Sequence, residues 1–198
     1  MSKPLNQSMQ LVIIAINKIK AHSLNDQLFR KLCEENGDEY KRLLLHTEVR
    51  WLSKGNSFQL FYELYIIIEF FEYHNVSVSV SEDIEKQDLT TELKNIKQDV
   101  AYLSDLFEKF NTVNLKLKGE KMTLIKTKSV ISAFTEKLLL FKNNLARREF
   151  YQFPKLIEIQ ETQDIADEHI LKFANHLNTL YIDMKRRFKD LFDLEVPG

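Results

Sequence analysis

The sequence predicts an all-α protein, a bundle of about five to six long helices, and three observations carry that expectation. Apolar residues recur at three- and four-residue spacing through most of the 198 positions. Only four Gly and three Pro punctuate the chain, against fourteen Phe and seven Tyr, so tight turns are few. The apolar stripes are also broader than a two-stranded coiled-coil seam, so several helices must share a core. We read residues 1–198 as one helical domain, with 1–52 an N-terminal part ending at an Arg-Trp pair and 53–198 a long-helix bundle.

The first helix is expected over about Asn6 to His22, with Met9, Val12, Ile13, Ile16 and Ile19 on one face. Ser23 can cap a second helix, with Asp26 at the reciprocal position and Leu24, Leu28 and Leu32 turned inward. Gly37 suits its end, because glycine accepts the left-handed conformation there. Asp38 to Trp51 is a less regular connection. Ser53 to Tyr73 reads as a long helix rich in Phe and Tyr, apolar on a wide face.

Val76, Val78 and Val80 alternate with serines at strand period, but a lone strand has nothing to pair with, so Asn75 to Gln87 reads as a loop. Leu89 to about Leu117 is one helix using Leu93, Ile96, Val100, Leu103, Phe107 and Phe110, and Gly119 stops it. Met122 to Arg148 is the next, with Ile125, Ile131, Phe134, Leu138, Phe141 and Leu145 inward. Pro154 interrupts the pattern, since proline lacks an amide hydrogen. Asp164 to Phe192 is the last, with Ile170, Phe173, Leu177, Leu180, Met184, Phe188 and Leu191 on its stripe.

Composition excludes several function classes. With 28 Lys+Arg against 29 Asp+Glu, the chain has no general basic field for nucleic acid, although a local patch is compatible with the balance. The single cysteine, Cys33, excludes an intrachain disulfide framework and a Cys-based zinc site. The apolar runs at Leu11–Ile16 and Leu60–Phe71 are too short to span a bilayer, and the second carries Glu63 and Glu69. No membrane partner and no small-molecule substrate is evident.

Catalytic signatures are absent as well. Neither phosphate-cradling glycine motif is present, so no nucleotide or other cofactor is expected. Cys33 has no activator near it in sequence, and His169 and His176 lie two helical turns apart, too far for one metal without other ligands. The histidines read as surface or capping residues, and the carboxylates as solvated helix faces. Lys116, Lys118, Lys121, Lys126 and Lys128 form a loose basic stretch around Gly119, which together with Arg147 and Arg148 could supply one phosphate-binding surface. Glu120 and Glu136 dilute it.

One segment is not generic. Leu43-Leu44-Leu45-His46-Thr47-Glu48-Val49-Arg50-Trp51-Leu52-Ser53-Lys54-Gly55 holds the only tryptophan beside an arginine, a pairing that reads first as a buried anchor at a helix entry. Its wording resembles the Arg-Trp region of hAT-superfamily DNA transposases, in particular the Buster/Charlie-type branch domesticated in vertebrates. The likeness extends to Ala21–Phe29 upstream and to Val113–Gly119, Ala133–Leu138 and Phe150–Pro154 downstream, in family order.

That resemblance implies the all-helical insertion domain of such an enzyme, together with the tail of the preceding core segment. It implies no catalysis: the core acids that hold two divalent cations for strand cleavage lie in segments this sequence does not contain. The chain then looks like a truncated, domesticated or partial product, a non-catalytic helical module acting on protein or DNA partners, in the nucleus or cytoplasm, with the nucleus favoured. Trp51 matches the family residue implicated in handling DNA ends, so Arg50, Trp51, Lys116, Lys118, Lys121, Arg147 and Arg148 are the candidate nucleic-acid contacts. Gly55-Asn56-Ser57 departs from the more basic residues usual there, which weakens the DNA reading. A helical protein-interaction adaptor with no nucleic-acid role is the alternative.

Overall fold

The computed structural model describes residues 3–21, 23–35, 67, 68, 70, 89–119 and 121–194. Among these residues every regular element is a helix, as the spacing predicts: α1 (Lys3–Ala21), α2 (Ser23–Glu35), α3 (Leu89–Asn95), α4 (Lys97–Leu117), α5 (Leu124–Ala146), α6 (Pro154–Gln160), α7 (Asp167–Arg187) and α8 (Lys189–Phe192). The expected helix ends at Gly37 and Tyr73, the valine–serine run and the 52/53 boundary lie outside the described residues. The chain divides into two compact units, residues 3–100 and 101–198, the latter joined by 1–2.

In the first unit α1 packs against α2 and α3. Leu5, Met9, Val12, Ala15, Ile16 and Ile19 are buried, the face the three- and four-residue rhythm marks out, while Ile13 is half-buried. On α2 the expected stripe is displaced. Leu24 is exposed, Leu28 and Leu32 are half-buried, and Phe29 is the buried anchor, its ring meeting Phe70 edge-on at 5.6 Å. An aromatic ring buries more area than a leucine and takes the inward direction. Asp26 pairs with Arg30 at 2.7 Å. The Ser8 hydroxyl donates to the buried Asp99 carboxylate at 2.5 Å, tying α1 to the start of α4. The expected single helix from Leu89 is interrupted at Ile96, yet its amide bonds the Glu92 carbonyl and its carbonyl accepts from the Val100 amide, so the ladder continues through the irregularity.

The second unit is built on α5 and α7, which pack antiparallel. Their cross-links give the register: as the α5 partner recedes from Lys142 to Glu136 to Lys128, its contact advances from Asn178 to Lys185 to the Phe192 carbonyl. α5 buries Ile131, Phe134, Thr135, Leu138, Phe141, Asn144 and Leu145, but Ile125, expected inward, is exposed because it precedes the stretch α7 covers. On α7 the buried set is Ile170, Phe173, Ala174, His176 and Leu177. Leu180, Met184, Phe188 and Leu191 are only half-buried towards its far end, where the helix breaks at Phe188 before α8.

The core of this unit is aromatic. Tyr102 stacks on Phe173 with centroids 4.3 Å apart and on Phe153 at 5.6 Å, and its hydroxyl lies 3.0 Å from Nδ1 of His176. His176 is therefore buried rather than a surface or capping residue. Burial disfavours its charged form and lowers its pKa to about 4.

Pro154 does more than interrupt: it opens α6 at the first helical position, where its missing amide hydrogen costs nothing. Asp105 on α4 then supplies what the Phe153 cap position lacks. It accepts the Lys155 backbone amide at 3.0 Å and the Lys155 ammonium at 3.1 Å, with side chains 0% and 1% exposed. Glu108 and Lys109 flank the pair, Lys109 over the rings of Phe141 and Phe153. Burial pushes the Asp105 carboxyl above its ordinary range, and the Lys155 charge and hydrogen bonds oppose that rise. Asp105 and Asp99 thus depart from the solvated-face expectation for carboxylates.

Removing one partner of a buried pair strands the other. Lys155→Met should cost about 3–5 kcal/mol in urea melts, and Asp105→Asn with Lys155→Met should recover much of it. For His176 the unfolded chain takes up a proton below about pH 6.5 while the folded site does not until about 4. Stability from this residue is full above the upper value and falls through the window as pH drops, by up to about 3 kcal/mol. Asp105, its carboxyl raised, contributes with the opposite slope, so the comparison is between proteins. The melting temperature of His176→Gln should vary less between pH 7 and 5 than that of the parent.

Candidate nucleic-acid interface

α5 contains 23 residues and is therefore about 34 Å long. It separates the basic residues expected to form one surface: Lys116, Lys118 and Lys121 lie before its N-terminus, and Arg147 and Arg148 follow its C-terminus. Charges that far apart are screened from one another, since the Debye length is about 8 Å at physiological salt. They are two sites. Arg50 and Trp51 lie outside the described residues.

The Arg148 site is committed. The Glu149 amide returns to the Asn144 carbonyl and the Arg148 amide to the Leu145 carbonyl, a Schellman closure of α5. It places Arg148 at φ 61°, a left-handed position glycine usually takes. Its guanidinium reaches Asp164 at 3.1 Å and Asp167 at 2.7 Å, and these bonds, that to Asp167 foremost, raise its pKa further. With both acids beside it, this end offers little to a phosphate.

The other end is different. The last turn of α7, Lys185-Arg186-Arg187, is a further basic cluster, but Lys185 meets Glu136, about 18 Å along α5 from Leu124, so the triplet lies beside the middle of α5 and not at its start. Several of these cations have structural work. Lys185 binds Glu136 at 2.8 Å, Arg186 and Arg187 each reach Asp183 at 2.6 Å, and Lys128 donates to the Phe192 and Leu194 carbonyls. Basic residues in the last turns of α4 and α7 also suit the negative end of a helix dipole.

Lys118, just past Leu117, shares that dipole account but its ammonium has no partner among the described residues, and Lys121 and Lys126 have neither. All three are exposed, and none pairs with a carboxylate among the described residues. Lys126 sits in the first turn of α5, its amide capped by Thr123 at 3.3 Å, and no acid occupies that turn. This is the positive end of the dipole, where an acidic residue would stabilise and a lysine does not. Lys121 stands at φ 64°, so among the described residues of this connection the left-handed one is a lysine and not Gly119, where an added Cβ would lie 3.2 Å from the Lys116 carbonyl oxygen. Among the described residues no group of three His, Cys, Asp or Glu could hold a metal ion, and no helix is long and apolar enough to cross a membrane.

The two ends make one comparison testable. Arg148→Ala loses both ion pairs and keeps the left-handed strain, whereas Arg148→Gly loses the pairs and sheds it. The glycine variant should melt about 2–4 °C above the alanine variant.

No solved structure matches the chain. General transcription factor II-I repeat domain-containing protein 2 of Bos taurus is 27% identical over 186 residues, which is 94% of this chain and 18% of that protein. The chain thus corresponds to a minor part of the relative it matches. Residues 3–146, running from α1 to the last residue of α5, match the FAM200/GTF2IRD2 helical domain. This all-helical chain belongs to the FAM200-GTF2IRD2-like family.

Proposed function

We propose that the chain is a non-catalytic, transposase-derived helical module that binds an anionic partner at the basic α4–α5 connection. One observation carries this reading: Lys118, Lys121 and Lys126 are exposed without a carboxylate partner among the described residues, and Lys126 stands in the first turn of α5, where helix stability favours the opposite charge. Family membership and the resemblance to Buster/Charlie-type hAT transposases support the origin, and that resemblance places the core acids for two-metal cleavage outside the segments that match. The relative's name, a general transcription factor II-I repeat domain-containing protein, supports placing the module in the nucleus. Arg50 and Trp51 remain proposed contacts on the resemblance alone.

Immobilised heparin tests the charge reading as a generic polyanion. The chain should be retained at about 0.15 M salt, and the triple variant Lys118→Glu, Lys121→Glu, Lys126→Glu should bind roughly tenfold more weakly. Arg147→Glu, at the far end of α5, should elute like the parent. Equal loss in both variants would mean that no local surface exists.

A further inference from the structure

The same end of the second unit carries exposed apolar side chains among its unpaired lysines. Leu115 is 60% exposed, Leu124 56% and Ile125 54%. They alternate with the cations along the chain: Leu115 beside Lys116, then Lys118 and Lys121, then Leu124 and Ile125 beside Lys126. Single exposed leucines are ordinary, but residues 115–126 expose Leu115, Leu124 and Ile125 together with Lys116, Lys118, Lys121 and Lys126, apolar and basic side chains in one short stretch that also holds Glu120. Thr123 caps the start of α5, and the Lys116 carbonyl accepts the Gly119 amide at the end of α4.

We infer that this α4–α5 connection docks a short acidic protein segment that presents apolar side chains between its carboxylates. The inference rests on the anion-binding reading above and adds the partner's class. A DNA backbone complements the lysines but has no apolar surface for Leu115, Leu124 and Ile125 to cover, and grooves are read by donors and acceptors rather than by aliphatic side chains. A lipid surface would call for one continuous amphipathic helix with an apolar face. Here the apolar residues sit on the last turn of one helix and the first turn of the next, and Leu124 and Ile125 are adjacent and diverge by about 100°. An acidic segment with interspersed Leu or Phe answers both features: its carboxylates meet Lys118, Lys121 and Lys126, and its apolar side chains remove the exposed leucines from water.

The test uses the full 198-residue chain and four probes: a short fluorescent peptide of Glu, Asp, Leu and Phe, the same peptide with Leu and Phe replaced by Ser, a short DNA duplex, and vesicles of equal parts phosphatidylcholine and phosphatidylserine. The first peptide should bind best, the serine peptide roughly tenfold more weakly, and Leu115→Ala with Leu124→Ala should weaken the first by a similar factor while leaving heparin retention unchanged. Both positions are exposed, so an unchanged melting temperature verifies the fold, and Ile125→Ser provides an independent variant. Indifference of peptide binding to the apolar substitutions overturns the inference. So does preference for duplex or vesicles, which would leave the anion-binding reading intact. Failure of all four probes together with heparin overturns both.

Discussion

Antiparallel packing of α5 against α7 decides which charges in this chain become neighbours. Lys128 near the start of α5 donates to the Phe192 and Leu194 carbonyls, Glu136 in its middle takes Lys185 from the last turn of α7, and Arg148 past its end meets Asp164 and Asp167. The packing thus gives these cations acceptors, while Lys118, Lys121 and Lys126 at the α4–α5 connection have no carboxylate among the described residues. That contrast is a property of topology and not of composition. The net charge of −1 conceals it completely.

The aromatic core makes that packing specific. Tyr102 from α4 is held against Phe173 of α7 and Phe153 at the entry to α6, and a few residues on Asp105 captures the first turn of α6 through both a backbone and a side-chain donor. Such a buried pair is a poor source of net stability, because desolvating two charges cancels much of their attraction. Its effect is positional. Only one placement of α6 against α4 satisfies both donors, and any other leaves a charge without solvent.

The helical class was legible because Leu, Ile and Phe recur at the period of a helix, and that rhythm survives on α1 and through the middle of α5. It misled wherever a ring competed with a leucine, as at Phe29, or where the neighbouring helix ran out, as at Ile125. Asp105, Lys155 and His176 were illegible for a different reason. A polar residue on a helix reads as solvent-facing until its partner is known, and these partners lie fifty to seventy-odd residues away in the chain. The lysines of the α4–α5 turn were visible as a basic stretch. What was hidden is their company, since their fellow candidates at Arg147 and Arg148 are carried a helix length away. Arg50 and Trp51, the most distinctive words in the sequence, fall outside the described residues and rest on resemblance.

Among the described residues Lys155 is the one buried lysine. Its amine is sealed beneath α4, and a reagent or modifying enzyme reaches it only when α6 lifts away. The frequency of that opening therefore governs its chemical accessibility, whereas the turn lysines are accessible at all times. An acyl group that the chain acquires in the folded state should therefore reach exposed lysines such as Lys118, Lys121 and Lys126 before Lys155, and there it erases charge without disturbing the scaffold beneath.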